Sequence, residues 1–406
     1  MGRPGIWIGL LLVFVFQLDE NIAAANTVAI HRILMKGIEA NFSGDYDRAA
    51  EIFSTIEAVD PEHPSQAFYQ AVVLFWRNSL DAGNPRHIDR IRQYLNQAGE
   101  QAEKMLAVDE NNVDALHYMG LVYTYLGRLE AHNGRLYRGG VLGEKGRTYL
   151  ERAIEICEKQ ENKTSPSGLM AGNPCEDLYF PYGAYSYFAG RLPRFLQVFN
   201  FLWFIPNGST EEGLNALERA RGNSALHRPG AESLLVGIFL NFEEDRMTTA
   251  REISADLISR FPDNPVLEIQ HARLLLAEGK HQDAAEKSDR IIEKVDQRIR
   301  NYDDVVRQAA LQVKAEAWIR QDNPTSARAI LFRLETDAAY QNNSLRPYTD
   351  LLLGMLADIE KKRETATGYY EKASSYKGAL RNRMVDQKAR QYLEKPFIGS
   401  RRDSSS

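Results

Sequence analysis

Eight histidines and two cysteines are the residues of this chain best suited to chemistry. His31, His63, His87, His117, His132, His227, His271 and His281 are scattered, and none forms the H-E-x-x-H pair that holds zinc beside a general base. No G-x-S-x-G elbow presents a nucleophilic serine. Cys157 and Cys175 lack a second Cys or His at metal-ligand spacing, and neither lies in a nucleophile context. Gly139, Gly140, Gly143 and Gly146 invite a phosphate-loop reading, but Lys145 precedes Gly146 and the G-K-[ST] order is missing. Close helix packing or an irregular bend accounts for them instead. The acidic run Glu243–Asp245 has no EF-hand spacing and reads as a solvated helix end. These residues point to no enzyme, no metal and no cofactor.

The elements around them are helices. Ala, Leu, Glu, Arg and Gln dominate, apolar residues recur every three or four positions, and no long β-branched alternation appears. Of 406 residues, 44% are hydrophobic, so a substantial core can form. The formal net charge is -5 and no Lys/Arg-dense block stands out. A nonspecific nucleic-acid binder needs a basic face to release counterions, so nucleic acid is not an expected partner.

Residues 1–25 read as a secretory signal: Arg3, an apolar run from Ile6 to Phe16, then Ala23–Ala25 as the cleavage point, after Ala25. The run falls short of the roughly 20 residues of a membrane span, and no cysteine follows it to take a lipid. An uncleaved, marginal anchor is the alternative. The expected location is periplasmic or secreted, with no span in the mature chain. Export permits a Cys157–Cys175 disulfide, which would restrict the unfolded chain by about 3 kcal/mol; two unpaired thiols are the other reading. Residues 396–406, ending in serines, are expected to be a disordered, dispensable tail.

Between these ends the chain repeats itself. In "GDYDRAAEIFSTIEAVDPEHP", with a unit starting at Ile30, Gly37, Ala49, Phe53, Ile56 and Pro61 fall on positions 8, 20, 24, 27 and 32 of a helix–turn–helix. Ala216, Ala250 and Ala284 recur at intervals of 34, and Ala327 and Ala366 continue the series with insertions. The last copy places Gly354, Ala366, Tyr370 and Ala373 on the same points. Small residues at 8 and 20 let paired helices approach, a bulky residue at 24 fills the gap, and proline at 32 stops the second helix. This pattern resembles the tetratricopeptide repeat (TPR). The resemblance covers about residues 28–380 and implies an all-α, right-handed α-solenoid of seven to eight units over residues 26–395. Irregular insertions are expected at about 77–92, 131–146 and 158–178.

One stretch departs most: "PYGAYSYFAGRLPRFLQVFNFLWFIPN", Pro181–Asn207. It reads as one long or broken first helix, interrupted at Pro193 and too short to cross a bilayer. Phe199 and Trp203 are expected to be buried, and Tyr185 and Tyr187 to lie nearer a groove. Peripheral membrane contact is the remaining alternative for this segment. Its Gly183, Tyr185, Tyr187, Gly190, Leu192, Pro193, then Gly208, Gly213, Leu214 and Leu217 are similar to a pattern in exported bacterial TPR proteins of unassigned role.

The resemblance further implies a concave binding face. Its candidate residues are His31, Leu34, Ile38, Asn41 and Phe42 in the first unit, His117, Leu121 and Tyr125 in the third, and Phe239 and Phe242 further on. Tyr185 and Tyr187 join them. The lining is apolar and aromatic and lacks the Lys/Arg–Asn pattern of TPR clamps for a C-terminal carboxylate. The expected function is a non-catalytic scaffold or adaptor for a protein or peptide in the cell envelope. The alternative is an accessory of envelope transport that holds a small apolar ligand near the aromatic helix 181–205.

Overall fold

The computed structural model describes residues 25–81, 85–161, 174–191, 208–340, 344–376 and 380–399. Among these residues seventeen α-helices occur and no strand. They are α1 (25–42), α2 (Tyr46–Ser54), α3 (Ser65–Arg77), α4 (Pro85–Val108), α5 (Val113–His132), α6 (Leu136–Glu161), α7 (Tyr179–Gly190), α8 (Thr210–Asn223) and α9 (Arg228–Phe242). The rest are α10 (Met247–Arg260), α11 (Pro265–Ala277), α12 (His281–Asp296), α13 (Asp304–Arg320), α14 (Pro324–Thr336), α15 (Arg346–Ile359), α16 (Arg363–Ser375) and α17 (Leu380–Glu394). Odd-numbered helices up to α15 are the first members of eight pairs, even-numbered ones the second, and α17 covers the open end. Each first helix from α3 to α13 packs on its own partner and on the first helix of the next pair, as a solenoid requires.

Local chemistry starts the helices where the repeat demands. Asn264 caps α11, accepting from the backbone N–H of Val266 and Leu267, and Pro265 follows at the first helical position. Asn323 and Pro324 do the same for α14, and Ser209 caps α8 ahead of Glu211 and Glu212. The small residue at position 8 faces the bulky residue at 24: a Cβ on Gly37 would stand 2.3 Å from Phe53, one on Gly120 2.4 Å from Leu150, and one on Gly354 2.4 Å from Tyr370. Three units hundreds of residues apart thus share one packing device. The chain is a TPR-like α-solenoid.

The insertions differ from expectation. Residues 136–146 are not irregular; they are the first turns of α6, a 26-residue helix. The glycines there do not break it: Gly139, Gly143 and Gly146 each meet a neighbour closely. A Cβ on Gly127 would lie 2.7 Å from the Gly139 carbonyl oxygen, and one on Gly146 would lie 2.9 Å from that of Gly120. Backbone-to-backbone packing of α5 on α6 offsets the roughly 0.5–1 kcal/mol each glycine costs within a helix. The second insertion is likewise helical from Pro85 onward. Of the third, 174–178 forms a 3₁₀ turn.

Cys157 and Cys175 are joined as a disulfide that ties α6 to that turn. The tail expectation is corrected at its start: Phe397 is buried against Tyr392, and its N–H donates to Asp358 at 2.9 Å. An aromatic side chain next to a half-covered helix end docks rather than staying in water. Phe199, Trp203 and Pro193 lie outside the described residues.

Candidate functional site

The solenoid curls until its beginning meets its later units. Asn264 donates through Nδ2 to the Phe42 carbonyl at 2.9 Å, and Asn301 donates to the Gly44 carbonyl. Arg300 pairs with Asp45, and Phe42 and Phe261 bring their ring centroids to 5.6 Å. Gly44 is required at this seam: its φ is +78°, and a Cβ would stand 2.6 Å from the Asp263 carbonyl oxygen. A second seam joins Ser344, whose N–H donates to Asp81 at 3.1 Å, while Leu80 packs among Ile269, Ile291 and Leu345.

Closure turns the front of the concave face into a chamber of about 260 Å³. Helices α1, α3, α5, α7, α9 and α11 all contribute to its wall. Phe42 and Trp76 meet edge-on at 4.6 Å between centroids, and Tyr125 meets both Phe68 and Phe75 at 5.4 Å. Phe180 stacks on His227 at 5.2 Å. Gln270 donates to the Ser233 carbonyl at 2.8 Å and so is already engaged. A smaller cavity of about 70 Å³, between Phe75, His87, Ile91 and His132, adjoins it, and Arg128 lines both.

Arg128 is the charged residue of this lining. Its guanidinium sits 4.2 Å from the Phe75 ring centroid. No ion pair or hydrogen bond engages it among the described residues, and no carboxylate lines either cavity. Arg128 is exposed by accessible surface, while the surrounding protein presses its pKa down and Tyr125 pulls the other way. The two facts agree if the surface it keeps faces the chamber. An arginine does not lose its proton, so a full charge stands there.

Three further polar atoms near Arg128's chamber are unsatisfied. Asn41 Oδ1 and His227 Nε2, both on lining residues, are buried and have no hydrogen-bond partner among the described residues. Behind the wall His117 Nε2 is equally unpaired, with its ring centroid 5.5 Å from that of His227. Burial lowers the His227 pKa to about 3; burial and then the neighbouring His227 lower that of His117 to about 4. Both rings are neutral near pH 7.

The sequence-derived groove residues divide. Ile38, Asn41, Phe42 and Tyr125 line the chamber. His117, Leu121, Leu34 and Phe239 are buried behind it, and His31 is half-buried. Tyr187 is wholly buried: its hydroxyl donates to Glu243 at 2.8 Å and accepts from Arg191 at 2.7 Å, which also donates to the Phe242 carbonyl. Tyr185 covers Gly143 and donates to Glu144 at 2.8 Å. Neither tyrosine lines the chamber, because Gly183 and Gly213 draw α7 against α8 and turn those faces into helix contacts. Sequence reasoning missed Arg128, Phe68, Phe75, Trp76 and His227. The signal for the aromatics was present: Phe68, Val72, Phe75 and Ser79 recur at helical spacing on one face of the second unit. Arg128 follows Tyr125 by three residues, one turn beyond the positions counted as groove.

Farther along, the concave face is ionic. Glu316 of α13 accepts from Arg320 at 2.7 Å and from the Tyr348 hydroxyl. Burial works to raise its pKa, but Arg320, Lys388 and Tyr348 outweigh burial and hold it below the usual range. Arg273 of α11 stands close to Tyr348 and Glu316 with Nη2 unpaired, and burial presses its pKa down. Nearby His281 is lowered by burial and then by Arg320, and its Nδ1 is unpaired.

No family model matches the sequence, and comparison with curated proteins finds no relative. Solved structures are similar in overall form only. Yeast Tom70 aligns over 97% of this chain and 90% of its own at 12% identity and a TM-score of 0.41. A tetratricopeptide repeat protein from Parabacteroides merdae aligns over 78% of this chain and 99% of its own at 11% identity and 0.42. Human IFIT1, solved as a dimer with m7Gppp-AAAA, aligns over 93% and 86% at 13% identity and 0.43. The TPR-like fold rests on the helix pairs and their glycine–ring contacts described above.

Proposed function

We propose that this protein is a non-catalytic scaffold that holds an acidic segment of a protein partner on the concave face of its last units. The supporting observation is the cation set there. Arg320, Lys388 and Arg273 all act electrostatically with Glu316, and Arg273 forms no ion pair among the described residues. A row of cations with one internal anion attracts a negatively charged chain and orients it. The first turn is closed, so the later units are where an extended segment finds room. We further propose that the scaffold works outside the cytoplasm. The apolar run Ile6–Phe16 behind Arg3 and the paired cysteines support this.

The test is fluorescence anisotropy with two labelled peptides of equal length, one rich in Asp and Glu with an aromatic anchor, one with Lys in their place. The acidic peptide binds, salt weakens it, and Arg273→Glu combined with Lys388→Glu lowers its affinity tenfold or more. Equal binding of the two peptides, or no change in the double variant, defeats the reading. Recovery of the protein from the cell exterior with Asn26 as its first residue supports export; its retention inside with residue 1 intact defeats that part.

A further inference from the structure

The chamber of the first turn goes beyond this scaffold role and does not depend on it. Its wall is aromatic and aliphatic, its volume is about 260 Å³, and its single full charge is the Arg128 guanidinium. That guanidinium has a ring on one side and no carboxylate among the lining residues. Arg128 is exposed toward the chamber with no carboxylate beside it, so a ligand anion that brings two acceptor oxygens matches its fork. The pattern is that of a small-molecule pocket: mostly apolar, with a few placed polar groups.

We propose that the chamber is a binding site for a small amphiphilic monocarboxylate, whose carboxylate meets Arg128 and whose apolar body lies between Phe42, Trp76, Phe180 and Leu234. A carboxylate matches the planar fork of the guanidinium, and one charge matches one arginine. A neutral hydrocarbon would fill the chamber but leave Arg128 unpaired.

Isothermal titration of the full chain with octanoate, octan-1-ol and octylammonium tests this. Octanoate binds one to one; octanol binds at least tenfold more weakly; octylammonium does not bind. Arg128→Gln reduces octanoate affinity at least tenfold and leaves octanol unchanged. Gly237→Leu, at a lining position where a Cβ meets nothing closer than Gln270 Nε2 at 3.5 Å, fills the chamber and removes both. Arg273→Glu, in the later units, leaves octanoate binding unchanged, which separates this site from the proposed peptide face. Equal affinity for octanoate and octanol in the unmodified protein overturns the carboxylate assignment, as does undiminished octanoate binding by Arg128→Gln. Absence of binding by either overturns the chamber as a site. The ranking of the three head groups needs no variant, so poor folding of Arg128→Gln does not shelter the proposal.

Discussion

Arg128 and Arg273 both stand on the first helix of a pair, toward the inside of the superhelix, and neither forms an ion pair among the described residues. Their surroundings differ. Arg128 has the Phe75 ring against it and the aromatic-lined chamber in front of it. Arg273 has Tyr348 and Glu316 as electrostatic neighbours and Arg320 and Lys388 close behind them. One solenoid thus presents two inner faces. The first turn presents an aromatic-lined chamber with one full charge; the later units present a network of charges. The repeat sets the position of both arginines, and the residues around them set what each can hold.

The largest expected effect tests what the two regions share. Phe53 and Tyr370 occupy the same repeat position at opposite ends, each against a glycine and each wholly buried. Phe53→Ala and Tyr370→Ala are each expected to cost about 3–5 kcal/mol in calorimetric unfolding, because each leaves a cavity on a helix–helix contact. A loss under about 1 kcal/mol at either end would show that the two regions do not share one packing register.

Acid should separate the regions. His117 and His227 have folded pKa values lowered to about 4 and about 3, against an ordinary value near 6.5. Histidines lowered in this way leave stability complete above about pH 6.5, and it is lost as pH falls toward the folded values, since the unfolded chain takes up the protons. Asp177 and Asp114 pull His117 the other way without reversing it. From pH 6.5 to 5, at about 1.36 kcal/mol per pH unit, each ring costs on the order of 2 kcal/mol. His271 and His281 in the later units are lowered too, but they are less enclosed and contribute less. Hydrogen exchange at pH 7 and pH 5 should therefore show protection falling first in α5 and α9. Uniform loss along the chain would contradict the contrast.

The smallest effect sits at the far end. Truncation after Lys395 removes the Phe397 contact with Tyr392 and its bond to Asp358, and should cost about 1 kcal/mol. A thermal melt of the truncated chain checks it; an unchanged melt would return the tail to solvent.

Much of the scaffold is legible in the residues. The spacing of Gly37, Phe53, Gly354 and Tyr370 specifies the helix pairs, since a side chain on either glycine would collide with the ring. The glycines of α6 were harder to place, because local propensity argues for a break while the approach of α5 to within backbone contact argues for continuity. Only the second is a tertiary fact. The chamber was half legible. Ile38, Asn41, Phe42 and Tyr125 follow from repeat positions. Arg128 and His227 depend on how far the solenoid curls, and the curl depends on seams between residues more than two hundred positions apart. No periodicity within a 34-residue unit encodes them. Tyr185 and Tyr187 were misplaced for the same reason: the tight α7–α8 contact reassigns a face that the repeat alone would leave toward the groove.

The central claim is that the first turn closes upon itself, and one measurement addresses it most directly. Asp45 and Arg300 form a solvent-exposed ion pair across the seam that is worth little to stability, though replacing Asp45 also removes the N-cap of α2, at about 1 kcal/mol. Both native cysteines are committed to the disulfide, so Asp45→Cys with Arg300→Cys provides the reactive pair. A short bismaleimide should join them within one chain in high yield under native conditions and poorly in urea, with single-cysteine variants unreactive in this sense. Native protein with an intact thermal transition and no intrachain product would contradict closure, and with it the chamber.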